Sequence, residues 1–92
     1  MNALVTWIKF EEGGKKRVPE VEYVFYPMIK IIGDDKILSW SLFLINKKFI
    51  SSHQTISEIG FLMKNAPHCL LKQGVRFKLF EGFKEIANGE II

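Results

Sequence analysis

The sequence is dominated by short runs in which apolar and polar residues alternate, separated by turn residues. The clearest run, near the C-terminus, alternates three apolar residues with two cations: Val75, Arg76, Phe77, Lys78 and Leu79. Successive side chains of a β-strand point to opposite faces of the sheet. The apolar residues of this run are therefore predicted to point inward and the two cations outward. Because helical periodicity is almost absent elsewhere, the pattern predicts an all-β chain.

Turn signals divide the rest of the chain into further short runs with strand character. These cover residues 4–10, 21–32, 37–45, 47–50, 55–64 and 83–92, with polar loops between them. Pro27 lies inside one run and indicates an edge position or a bulge, because proline has no backbone N–H to donate. Gly and Asp at residues 33–36 predict a hairpin loop of about four residues.

Two glycine-containing pairs near the C-terminus are candidates for the last turn of the chain. Asn88–Gly89 is a strong hairpin signal, but a turn there leaves only three residues for a final strand. We therefore predict the turn at Glu81–Gly82 and a β-bulge at Asn88–Gly89, where glycine tolerates a positive φ. The strands then predict one domain, residues 1–92, folded as a six-stranded antiparallel closed β-barrel, since closure removes exposed edges.

Composition narrows the class of protein without naming a function. The chain has 92 residues, 48% of them hydrophobic, and a formal net charge of +3. This excludes a disordered chain, and the excess of lysine over arginine is also ordinary for a protein surface. Because no membrane-spanning run, signal peptide or disulfide framework is evident, we expect a cytoplasmic protein without a membrane partner.

The residues suited to catalysis or metal binding do not form a recognisable site. His53, His68 and Cys69 lack a neighbouring acid, and zinc requires four ligands at suitable spacing. No phosphate-binding glycine loop is present either. We expect no enzyme activity, no metal and no cofactor, with Cys69 as a small buried apolar residue. The densest basic cluster, Lys15–Lys16–Arg17, is predicted to lie in a solvated loop among acidic residues.

Three segments resemble the C-terminal β-barrel domain of bacterial elongation factor Tu. Residues 12–15 (Glu-Gly-Gly-Lys) resemble its Glu-Gly-Gly-Arg segment, and residues 25–29 stand where the family has a Tyr-Arg-Pro-Gln-Phe strand. Residues 74–82 resemble the closing Gly-Leu-Arg-Phe-Ala-Ile-Arg-Glu-Gly hairpin. The resemblance runs from about Val5 to Ile92. It implies a six-stranded antiparallel barrel without catalytic residues of its own.

The resemblance also implies which surfaces to consider. In the family this domain contacts the T-arm of aminoacyl-tRNA and packs against two other domains. Glu81 and Gly82 match a Glu-Gly pair that touches the tRNA backbone. Four other family positions, which hold Arg, Gln or Gly there, are apolar or aromatic in this chain: Tyr26, Met28, Phe80 and Phe83. Because apolar side chains cannot make charge-assisted phosphate contacts, about half of the RNA-contacting set is lost.

Two functional hypotheses follow. The first is a non-catalytic interaction module that binds a protein partner through Tyr26, Phe80 and Phe83, in an accessory or inhibitory, immunity-type role; Phe25 and Trp40 are predicted in the core. The second is an RNA- or tRNA-binding module whose surface comprises Arg76, Lys78, Glu81, Gly82 and Lys84. Association of the chain with a second copy of itself stays open.

Overall fold

The computed structural model describes residues 1–33 and 40–92. Seven strands are present there: β1 (Asn2–Trp7), β2 (Val24–Phe25), β3 (Met28–Ile31), β4 (Trp40–Ser51), β5 (Gln54–Phe61), β6 (Arg76–Glu81) and β7 (Lys84–Ile91). The helical content of these residues is two single 3₁₀ turns, Phe10–Glu12 and His68–Leu70. No helix in the described part of the chain has the length and apolar character needed to cross a membrane.

Antiparallel pairing closes the sheet into a barrel. The strands follow the order β4-β3-β6-β7-β1-β5, and β5 pairs back onto β4. The short β2 is an additional strand on β4. The prediction of an all-β chain forming a six-stranded antiparallel closed barrel is therefore confirmed, with one extra strand.

The barrel has two ends, which the direction of the strands defines. The first end is where β1, β4 and β6 finish; it carries the loop of residues 8–23 and the turns at residues 52–53 and 82–83. The second end is where β3, β5 and β7 finish. It carries the loop of residues 62–75, together with Met1 and Ile92.

β2 and β3 both pair antiparallel with β4 and follow each other along it. Phe25 pairs with Leu44 and Met28 with Ser41, so the register is unchanged across Tyr26–Pro27. Pro27 interrupts the strand because it cannot donate a ladder hydrogen bond, although its carbonyl accepts one from Leu42 at 3.1 Å. Of the two predicted alternatives at Pro27, an edge position or a bulge, the bulge is wrong: the strand is interrupted there without a shift of register.

Alternation along the strands builds the core as predicted. Phe77 and Leu79 of β6 are fully buried, whereas Arg76 and Lys78 are exposed. The remaining fully buried large apolar side chains come from every other long strand: Val5, Trp7, Ile29, Leu42, Leu44, Ile59, Ile86 and Ile91. The predicted loop residues Asp34, Asp35 and Lys36, and the predicted strand residues 37–39, lie outside the described residues.

Three predicted strand runs reach beyond the observed strands: residues 8–10, 21–23 and 62–64 lie outside β1, β2 and β5. β1 ends at Trp7, because the chain turns into the 3₁₀ segment from Phe10 instead of continuing to residue 10. The run predicted at 47–50 extends the run before it, one of the two predicted alternatives, and residues 40–50 lie in one strand, β4. Register shifts near Lys47 and Ile50 show that extra residues are accommodated as bulges, without ending the strand.

The β6–β7 hairpin confirms the predicted turn but corrects the predicted bulge. Asn88 and Gly89 pair in register with β6, and the extra residue of β7 is Ile86. Gly89 is required for another reason. A Cβ at this position would lie 2.6 Å from the ring of Phe77 and 2.8 Å from the carbonyl oxygen of Leu4.

A chain of buried hydrogen bonds connects the barrel interior to the loop of residues 8–23. The Trp7 Nε1–H donates to Thr55 Oγ1 at 2.9 Å, and Thr55 Oγ1 lies 3.0 Å from Ser57 Oγ. Ser57 donates to Asn46 Oδ1 at 2.6 Å, and Asn46 Nδ2 donates to the carbonyl of Pro19 at 2.8 Å. Because Asn46, Thr55 and Ser57 are fully buried, each polar atom needs such a partner.

Candidate interaction surfaces

The β6–β7 turn presents an aromatic side chain at the first end of the barrel. Glu81 pairs with Lys84, and Gly82 has φ +64° whereas the φ of Phe83 is not positive, as at the two central positions of a type II′ turn. Phe83 occupies the second central position and is fully exposed. Among the predicted partner-binding residues, this is the one most open to solvent.

Phe80 lies on β6, and Tyr26 lies between β2 and β3, on the side of the barrel where β3 pairs with β6. Phe80 pairs with Met28, and Tyr26 lies two residues before Met28 in the same register. Tyr26 is 62% exposed, whereas Phe80 is half-buried. The structure therefore brings the three predicted aromatic residues to one region, with Phe80 contributing less accessible surface than Tyr26.

Further exposed apolar residues at this end were missed by sequence reasoning. Of the thirteen large hydrophobic residues exposed in the described chain, eight lie at the first end: Phe10, Val21, Tyr23, Val24, Tyr26, Phe49, Ile50 and Phe83. The β-branched and aromatic content of residues 21–32 predicted a strand over the whole run, whereas residues 21–23 precede β2 and are exposed. We refer to Phe10, Tyr23, Tyr26 and Phe83, the exposed aromatic residues of this set with more than half their surface accessible, as the aromatic surface.

Phe25 and Trp40 pack against the core, in agreement with prediction. Both are partly buried. The ring of Phe25 lies 6.2 Å from that of Trp7, and the ring of Trp40 lies 6.3 Å from that of Phe61 in an edge-on arrangement. These separations are those of stabilising aromatic pairs, so neither ring belongs to the aromatic surface.

Lys15 connects the loop of residues 8–23 to β6. Its Nζ lies 2.9 Å from Glu81 Oε2 and 4.7 Å from the centroid of the Phe25 ring. The side chain is only 22% exposed, so the prediction of a solvated cluster is wrong for Lys15, while Lys16 and Arg17 are exposed. The Glu81 carboxylate, one of the proposed RNA contacts, is thus already engaged within the protein.

Two of the three predicted RNA-binding cations, Arg76 and Lys78, share the outer face of β6, and each is paired with an acid. Arg76 Nε lies 3.3 Å from Glu90, and Lys78 Nζ lies 3.5 Å from Glu85. Lys84 is exposed at the start of β7, next to the turn residues. Sequence reasoning missed Lys30, which pairs with Lys78 across β3 and β6. The face therefore alternates in charge and is not uniformly basic.

The structure separates the residues considered for catalysis. His53 lies in the turn at the first end and contacts Ser52 Oγ at 2.8 Å, whereas His68 and Cys69 lie in the loop at the second end. Cys69 is exposed, so its predicted burial is wrong: the 3₁₀ turn that carries it buries none of its residues. Within residues 1–33 and 40–92, no three His, Cys, Asp or Glu side chains are grouped as a metal site requires.

Comparison with known proteins found no matching family model, no matching curated protein and no matching solved structure. The relationship to elongation factor Tu consequently rests on the three sequence segments alone and stays a hypothesis.

Proposed function

We propose that this barrel is a non-catalytic interaction module that binds a protein partner through the aromatic surface at its first end. The observation that carries the proposal is Phe83, a fully exposed aromatic residue at the tip of a tight turn. Exposed aromatic side chains are enriched at the centres of protein interfaces, where they fill pockets of the partner.

The fold does not require an aromatic residue at position 83. A type II′ turn needs glycine at its first central position, which Gly82 supplies, and accepts polar residues at the second. The Phe83 ring buries no surface in the described chain. A large apolar residue that serves neither the turn nor the core, beside exposed Tyr26, supports a role in contact with another molecule.

Polar contacts hold the loop of residues 8–23, which carries part of the aromatic surface, against the barrel. This favours recognition by a pre-formed surface. Lys15 holds the loop to Glu81, and the hydrogen-bond chain from Trp7 to Pro19 holds it to the interior. A surface that is already ordered loses less conformational entropy on binding. An accessory or inhibitory role in the cytoplasm, as expected from the sequence, belongs to the same proposal.

RNA or tRNA binding is the alternative, as the resemblance to elongation factor Tu implies. Its support is the row of cations on the outer face, which Lys30 extends beside Lys78. Against it stand the ion pairs of Arg76 and Lys78, since phosphate contacts would have to compete with Glu90 and Glu85. We therefore rank protein binding first.

The test is affinity capture from a lysate of the cells that encode the protein. Wild type is compared with Phe83→Ser and Tyr26→Ser, and with Leu62→Ser as a matched control, because Leu62 is an exposed apolar residue at the second end. A specific protein captured by wild type and the control, and lost from the Phe83 variant, supports the proposal. Equal capture by all four chains contradicts it.

Sensitivity of the captured complex to nuclease and to salt distinguishes protein binding from RNA binding. Protein binding through apolar contacts should survive nuclease and change little between about 50 and 200 mM salt, whereas RNA binding should fall steeply over this range. Capture that disappears with nuclease, with salt, and on exchange of Arg76 and Lys78 for glutamate would establish the RNA alternative in place of the protein one.

A further inference from the structure

The second end of the barrel contains an open cavity of about 850 Å³. Its walls come from the end of β3, the start of β4 and the loop of residues 62–75. Apolar side chains line most of it, among them Ile31, Trp40, Leu70 and Val75. A cavity of this volume with an apolar lining is typical of sites for small organic molecules.

One charged residue contributes to the described wall of this cavity. Arg76 is the sole charged residue among its described lining residues, and its side chain is 74% exposed. Its hydrogen bond within the described chain runs from Nε to Glu90 Oε1 at 3.3 Å. A guanidinium carries five N–H donors, so its terminal nitrogens can bind one carboxylate side by side while Nε stays on Glu90. A single small anion needs only these two donors, whereas a nucleic-acid backbone needs several unpaired cations in a row.

We propose that the cavity binds an amphipathic organic anion. The apolar body lies against Trp40, Leu70 and Val75, and the anionic group is bound by Arg76. Charge and apolar surface lie next to each other in this cavity, which is the arrangement that such a ligand requires. The site is at the opposite end of the barrel from the aromatic surface, so it is independent of the proposed protein interaction.

Two residues of the chain report on occupancy. Trp40 lines the cavity, whereas the other tryptophan, Trp7, is buried in the barrel toward the first end. Ligand binding should therefore change the fluorescence of Trp40 alone. Cys69 is the only cysteine, is exposed and also lines the cavity. Its reaction with a maleimide should slow when the cavity is filled.

The experiment titrates the whole chain with decanoate, decanol and decyltrimethylammonium below their micelle concentrations, and follows Trp40 fluorescence and calorimetric heat. We expect saturable binding of decanoate, weaker binding of decanol and the weakest binding of the cation. Saturating decanoate should slow maleimide labelling of Cys69. Prior attachment of a bulky maleimide to Cys69 should reduce decanoate binding without altering the circular dichroism spectrum.

Arg76→Gln tests the anion contact. Loss of a charged hydrogen-bonding partner should weaken decanoate binding about tenfold and leave decanol binding unchanged. Arg17→Gln is the matched control, because it removes the other arginine of the chain at the first end and should bind decanoate as wild type does.

Three results would overturn the proposal. The first is wild-type protein that shows no saturable binding of decanoate. The second is equal affinity of wild type and Arg76→Gln for decanoate. The third is a rate of Cys69 labelling that does not respond to saturating decanoate, which would place the ligand elsewhere on the protein.

Discussion

Gly89 lies inside the barrel, opposite Phe77 of β6 and Val5 of β1. The Phe77 ring occupies the space that a side chain at this position would need, and the Leu4 carbonyl oxygen closes the other side. Because one of these neighbours is backbone in a paired strand, a methyl group cannot be accommodated by a simple side-chain rotation.

We predict that Gly89→Ala lowers the free energy of unfolding by about 1–3 kcal/mol, the usual cost of overpacking a core. Urea denaturation measures it. Gly60→Ala is the matched control: its Cβ would meet only the ring of Phe43 on the outer surface, which can move, so a smaller loss is expected. Equal stability of Gly89→Ala and wild type would contradict this packing role.

Asn46 is the residue through which the interior holds the loop of residues 8–23. We predict that Asn46→Leu costs about 1–3 kcal/mol, because it leaves the Pro19 carbonyl without its donor and Ser57 without its acceptor. Detachment of the loop should also accelerate tryptic cleavage after Lys16 and Arg17, which are exposed.

Asn88→Leu is the control for that prediction, since Asn88 is an exposed asparagine on the outer face of β7. It should change neither stability nor the rate of cleavage by more than a small amount. Unchanged trypsin sensitivity of Asn46→Leu, together with lowered stability, would mean that the loop is held by other contacts, such as that between Lys15 and Glu81.

At the scale of elements, the β6–β7 hairpin separates a residue that the fold requires from one that it does not. Gly82 adopts a positive φ that other residues enter with strain, whereas Phe83 is exposed and makes no core contact. The same two-residue turn therefore contains a structural position and a position available for recognition.

We predict that substitution of Gly82 affects stability, whereas substitution of Phe83 affects partner binding. Gly82→Ala should lower the free energy of unfolding by about 1 kcal/mol, because alanine is strained at positive φ. Phe83→Ser should leave stability within about 0.5 kcal/mol of wild type while removing partner capture. Thermal unfolding followed by circular dichroism measures both. A large loss of stability in Phe83→Ser would assign the ring to folding instead.

In the described part of the chain, the last residues of β4, beyond Asn46, pair on one side only and so form a short strand edge. These residues pair with β5, and register shifts near Lys47 and Ile50 disturb the hydrogen-bonding pattern there. Lys47 also forms ion pairs with Glu22 and Glu58. Bulges and charged side chains both hinder the addition of a further strand, so this edge is a poor site for pairing with another chain.

At the scale of the whole molecule, closure couples the two ends of the barrel. β1 pairs with both β5 and β7, so the N-terminal and C-terminal strands are adjacent and complete the cylinder. No strand of the closed barrel can leave without opening two ladders. We predict a single cooperative unfolding transition in urea for the whole chain.

The two tryptophans test this cooperativity, since Trp7 lies in the barrel interior toward the first end and Trp40 at the second. In Trp40→Phe, fluorescence reports on Trp7 alone. The midpoint of the urea transition followed by this fluorescence should coincide with the midpoint followed by circular dichroism. Transitions at two different urea concentrations would show that the two ends unfold separately.

Much of the fold follows from local sequence patterns. Alternation in residues 75–79 predicted the faces of β6 and Glu81–Gly82 predicted the turn, because each effect depends on neighbouring residues only. Of the three aromatic residues predicted to bind a partner, Tyr26 and Phe83 are exposed and Phe80 is half-buried, and their role in binding stays a prediction.

What the sequence by itself determined, then, is the strand character of the chain, most of its turns and the inward set of side chains. The tertiary structure decided which residues meet across the barrel: the space that Gly89 leaves for Phe77, the contact of Lys15 with Glu81, the exposure of Cys69 and the cavity beside Arg76. These depend on register and closure, which bring together residues far apart in the chain, and no local pattern encodes the distance between them.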